Sequence, residues 1–124
     1  MIFAPISTGE LIDKITILEI KCLKFSGKQF NNCKNELESL QNILKENKII
    51  INKNLIDHLR KVNNKLWDIE DQIREKEKLN FFDESFINLA RSVYKENDKR
   101  SKIKRNINLE TNSELIEEKS YKDY

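Results

Sequence analysis

Chain breakers are nearly missing from this sequence: two glycines and one proline in 124 residues. Long uninterrupted helices are therefore expected, and a glycine-rich phosphate loop is excluded. Histidine occurs once, at His58. A di-iron bundle needs two E-x-x-H motifs, and the residue three before His58 is Leu55, so that chemistry is excluded as well. Cys22 and Cys33 fit neither a CxxC nor a zinc-ligand spacing, and both fall at apolar helical positions, so buried free thiols in a reducing compartment are expected. No apolar run approaches the roughly 20 residues of a membrane span, and the opening MIFAPISTGE lacks the charged-then-apolar order of a signal peptide. These absences predict a cytoplasmic chain with no membrane partner. Charge of one sign is missing too: 23 basic against 21 acidic side chains leave +2, which selects no partner by itself.

What is present is helical periodicity. Ser7 and Glu10 form an S-x-x-E capping box after the extended MIFAPI, and open a first helix of about 8–25. Leu11, Ile15, Leu18, Cys22 and Phe25 make its core stripe, while Ile17 and Ile20 project from the other side. An apolar surface on two sides marks this helix as central. Ser26 and Gly27 turn the chain into a second helix of about 28–47, striped by Phe30, Cys33, Leu37, Leu40 and Leu44. The stretch ENKIIINKN breaks the period and is expected to form a buried connection or a short extended pairing. Leu55, Leu59, Val62, Leu66, Ile69 and Ile73 stripe a third helix of about 53–79, roughly 40 Å long at 1.5 Å per residue. Asp83 is the expected N-cap of a fourth helix of about 84–108, and Thr111 with Glu114 would cap a short last helix of about 112–118. The expected fold is all-α: one domain, 1–124, a four-helix antiparallel bundle with a long hairpin of the third and fourth helices.

Four stretches, PISTGELIDKITILEIK (5–21), LWDIEDQIREKE (66–77), FINLARSVYKENDKRSKIKRNIN (86–108) and EEKSY (117–121), together resemble an uncharacterised family, a domain of unknown function, of short bacterial and phage proteins. The resemblance covers most of the chain outside 22–65. It brings no established activity. Its bacterial members often sit near surface-polysaccharide and glycosyltransferase genes, so it implies an accessory role in cell-surface glycan metabolism by association alone.

Helical projection places polar residues on faces that should be buried: Glu70 and Arg74 beside the stripe of the third helix, Asn97, Arg100 and Lys104 in line with Phe86 and Val93 on the fourth, and Glu19 near the edge of the first. Two interpretations compete. Glu19, Glu70, Arg74, Asn97, Arg100 and Lys104 form either an internal salt-bridge network that fixes helix register, or a polar pocket for a small phosphorylated or nucleotide-type anion, with a carboxylate as acid or base. The structural one ranks first, because buried charges need partners whether or not a ligand exists. Whether the chain is an enzyme is left open. Glu10 with Asp13, Asp68 with Asp71, and Glu114 with Glu117 have the spacing by which all-α pyrophosphohydrolases hold magnesium, but with 21 acids in 124 positions roughly three or four such pairs arise by chance. No metal and no cofactor are expected. The lone His58 reads as a surface residue, and Trp67 and Tyr94 as packing aromatics. The basic run at 95–105 splits around the fourth helix and is diluted by Glu96 and Asp98, so no specific nucleic-acid binding is expected. The two-sided first helix and the long third helix predict a homodimer, acting as a binding or assembly module.

Overall fold

The computed structural model describes residues 1–124, and its four helices are α1 (Thr8–Lys24), α2 (Gly27–Glu46), α3 (Lys53–Lys78) and α4 (Glu84–Glu110). They form an all-α four-helix bundle built from two hairpins, α1/α2 and α3/α4. The ends are set by local chemistry. Ser7 Oγ accepts from Glu10 N at 3.1 Å and Asp83 Oδ1 accepts from Phe86 N at 2.9 Å, so each satisfies a backbone donor that has no partner inside its helix. Gly27, at φ 62°, supplies the left-handed turn between α1 and α2.

α1 is central: it packs against α2, α3 and α4, whereas α2 approaches only α1 closely. The core gathers Leu11, Ile12 and Ile15 of α1 around Leu59 of α3 and Ile107 of α4, with Leu37, Leu40 and Leu44 of α2 half-buried against it. No residue of α2 is fully buried. Ile20 is buried and Ile17 half-buried, so both apolar sides of α1 are largely covered inside one chain.

α3 and α4 zip along a heptad-like seam. Leu55, Leu59, Val62, Leu66, Ile69 and Ile73 face Phe86, Leu89, Val93, Ile103 and Ile107, and the α4 line runs through Glu96 and Arg100. From Glu70 round the turn to Lys95 no residue is buried. The hairpin's distal half is a two-helix projection whose seam is only half covered.

Two expectations fail. Residues 112–118 form no helix: Asn112 turns left-handed (φ 51°), Ser113 N donates to Asn108 O at 2.8 Å, and Thr111 Oγ1 donates to Ile107 O, so this segment closes α4 instead of opening a new helix. The isoleucines after α2 neither pair nor bury together; Ile50 is 90% exposed, and Ile51 alone packs against the core. No helix is long and apolar enough to cross a membrane.

Candidate functional site

The N-terminal turn of α1 lies against the last turns of α4 with no space between the backbones. A Cβ built on Gly9 would stand 2.4 Å from Lys104 O and 2.9 Å from Asn108 Oδ1. That closeness lets distant side chains serve the free amides of α1: Gly9 N donates to Asn108 Oδ1 at 2.6 Å and Thr8 N to Ser113 Oγ at 3.1 Å. Gly9, Asp13, Thr16 and Ile20 then repeat at four, three and four residues as a second buried stripe, whose charged member is Asp13.

Asp13 is the hub of the site. It is 1% exposed and takes a fork of two bonds from Arg100, Nε to Oδ1 at 2.9 Å and Nη2 to Oδ2 at 2.5 Å. Asn63 Nδ2, from α3, donates to the same Oδ1 at 2.9 Å and to Thr16 Oγ1 at 2.9 Å, while Thr16 Oγ1 donates to Asp13 O. One carboxylate thus ties α1 to α3 and α4. Beside it Lys104 Nζ lies 2.7 Å from Glu10, 3.2 Å from Glu117 and 3.9 Å from Asp13, and Glu117 also binds Lys119 at 2.5 Å. Asp13, Glu10 and Glu117 balance Arg100, Lys104 and Lys119, so the network closes neutral. The hydrogen bonds and charge of Asp13 raise the Arg100 guanidinium above its ordinary range against the opposing pull of burial. The bonds from Lys119 and then Lys104 hold the Glu117 carboxyl below its ordinary value.

Of the residues expected in one cluster, the structure brings together Asn97, Arg100 and Lys104, with Asn97 Oδ1 accepting from Arg100 Nη1 at 3.4 Å. Glu19 is elsewhere: it binds Arg60, Nε at 2.8 Å and Nη2 at 3.2 Å, and is part of no Asp13 contact. Glu70 and Arg74 lie on the surface, 3.7 Å apart, with the Arg74 side chain 80% exposed. They flank the stripe of α3 as the projection placed them, but no third helix closes over that flank, so they are solvated rather than interior. An open cleft does lie between α1, α3 and α4, lined by Ile17, Trp67, Glu70, Arg74, Asn97 and Arg100 among others. Its two arginines already face Glu70 and Asp13.

Sequence reasoning missed Asp13, Asn63 and Glu96. From the sequence Asp13 is read only as half of a metal pair, whereas its spacing with Gly9, Thr16 and Ile20 places it in one buried stripe. The capping box expects the Glu10 carboxylate at the start of α1, yet it accepts from Lys104 Nζ instead. Glu96 enters the sequence analysis only as a charge that dilutes the basic run, but it is 4% exposed and continues the line from Leu89 and Val93 to Arg100. Burial pushes its carboxyl up, and the bonds and charges of Lys65 (2.9 Å) and Lys99 (3.0 Å) outweigh this and leave it below the ordinary value. Those lysines, with Lys61, Lys102 and His58, line a groove on the far side of the α3–α4 seam. Cys22 and Cys33 are unpaired and half-buried rather than fully buried. No three His, Cys, Asp or Glu side chains converge as metal ligands.

A family model described as a family of unknown function (DUF6165) matches residues 2–124. No curated protein and no solved structure matches the chain.

Proposed function

The chain belongs to the DUF6165 family of unknown function, and from that premise we propose that it is a helical assembly module that pairs with a second copy of itself through the distal half of the α3–α4 hairpin. One observation carries this: between Glu70 and Lys95 the hairpin has an apolar seam but no buried residue. Leu79, Phe81, Phe82 and Ile87 are each more than half exposed at its tip, while Ile73, Phe86, Leu89 and Val93 are half-covered. Two helices cannot enclose such a seam; four can, and a second hairpin related by a twofold axis supplies the missing pair. The charges along the projection are mixed and nearly balanced, which suits a self-complementary surface better than a strongly acidic or basic partner. The proximal half, locked by Asp13, serves as the rigid base.

Light scattering on the full chain tests this. A dimer is expected at tens of micromolar, and Phe82→Glu with Ile87→Glu should give a monomer of unchanged helicity. A monomer across that range, or a dimer indifferent to both substitutions, overturns the proposal.

A further inference from the structure

The segment after α4 runs back along the outer face of that helix. Glu117 binds Lys104, Glu118 binds Arg105 at 3.2 Å, and the Tyr124 ring meets Tyr94 edge-on, with centroids 5.2 Å apart. Between the segment and α4 lies a cleft of about 550 Å³, a size suited to a small molecule. All three tyrosines of the chain, Tyr94, Tyr121 and Tyr124, line it. So do Arg100, Lys104, Lys119 and Lys122, against the single carboxylate of Asp98.

We infer that this cleft binds a nucleoside phosphate, its base against the tyrosine rings and its phosphate on Lys104 and Lys119 in place of the Glu117 carboxylate. The three carboxylates of the network differ in a way that favours this exchange. Asp13 is buried between helices and Glu10 is fixed on α1, but Glu117 belongs to the segment after α4, which has no helix, and its side chain is 41% exposed where it meets Lys104 and Lys119 at the edge of the cleft. A carboxylate bridged by two ammonium groups marks a position where a phosphate would find the same donors and more charge to meet them. Arg100 offers Nη1, whose protein acceptor is Asn97 Oδ1 at a long 3.4 Å, while its other bonds hold Asp13. The tyrosine rings supply the second half of the recognition. Tyr121 is 70% and Tyr124 74% exposed, with Lys119 Nζ 5.9 Å from the centre of the Tyr121 ring, so aromatic surface and cations stand side by side, the pairing that a base joined to a phosphate requires. The Tyr124 hydroxyl, hydrogen-bonded to Asp98, has its pKa pushed up to about 12. The site is centred on Asn97–Lys104, and of its α4 lining only Val93 and Tyr94 belong to the projecting half of the hairpin.

The test is calorimetric titration of the full chain with adenosine 5′-monophosphate, uridine 5′-monophosphate, ribose 5-phosphate and inorganic phosphate, with light scattering in parallel so that loss of the dimer and loss of binding are read separately. Both nucleotides should bind about tenfold more tightly than ribose 5-phosphate, because stacking on tyrosine does not depend on the base. Glu117→Gln, which removes the competing charge, should tighten nucleotide binding by about threefold or more. Tyr94→Leu with Tyr121→Leu should bring the nucleotides down to the level of ribose 5-phosphate, with the fold checked by circular dichroism. The inference is overturned if no nucleotide binds at millimolar concentration to the wild type or to Glu117→Gln, if nucleotides and ribose 5-phosphate bind alike, or if Glu117→Gln weakens binding.

Discussion

Asp13–Arg100 and Glu70–Arg74 are both carboxylate–arginine pairs, and local sequence placed both arginines next to a core stripe. In the structure they have little in common. The first joins helices across the bundle with the carboxylate 1% exposed; the second spans one turn of α3 at 3.7 Å with its arginine 80% exposed. The difference comes from a third element. Where α1 lies over the α3–α4 seam, the flanking charges lose water and must be matched; where the hairpin projects beyond α1, the same kind of residue stays hydrated. The Glu19–Arg60 pair, with 29% and 42% of its side chains exposed, stands between the two.

The comparison can be broken most forcefully at Arg100. Arg100→Met should leave Asp13 buried with Asn63 but without its fork of bonds, at a cost of about 3–5 kcal/mol in denaturant unfolding. Adding Asp13→Leu should recover most of that loss, because the pair costs most when half of it remains. A loss under about 1 kcal/mol for the single variant would mean that the hub is not structurally important. Gly9→Ala should come next. It forces the α1 and α4 backbones apart at the hub, and about 1–3 kcal/mol is the expected price of such overpacking. An unchanged melting curve would show that the close approach is not needed.

A smaller effect is expected from acid. The Glu96 and Glu117 carboxyls are both held below the ordinary 4.5 by lysines, so their contribution to stability is complete above about that pH and disappears as pH falls through the lower folded-state values. Melting temperature should therefore decline below about pH 4.5, and Glu96→Gln should flatten that decline. A decline of equal steepness in the variant would assign the acid sensitivity elsewhere. The smallest effect belongs to the exposed pair: Arg74→Ala should change stability by no more than about 0.5 kcal/mol. A loss comparable to that of Arg100→Met would erase the distinction between the two regions.

The extent of legibility follows the range of each interaction. Ser7 and Asp83 were found as caps because a cap acts within three residues. Arg100 and Lys104 were found because their positions relative to Val93 are fixed by the turn of a single helix. Asp13 was missed because its partners come from two other helices, and the helical projection of α1 cannot say which of its several stripes will be covered. Glu70 and Arg74 were misplaced for the converse reason: the projection gave their side of α3 correctly but could not show that the cleft between α1, α3 and α4 stays open there. The short helix at 112–118 failed because Ser113, its expected second residue, closes α4 and receives Thr8 N from the opposite end of the chain.

By itself, then, the sequence determined an all-α bundle, the four helices, the Ser7 and Asp83 caps, and the long α3–α4 hairpin, since periodicity and capping are written into a few consecutive residues. Only the tertiary structure decided which charges lose their water and which partners they receive. Asp13 and Arg100 meet across 87 positions of sequence, and that meeting depends on how closely Gly9 lets α1 approach α4, a packing distance that no single helix encodes.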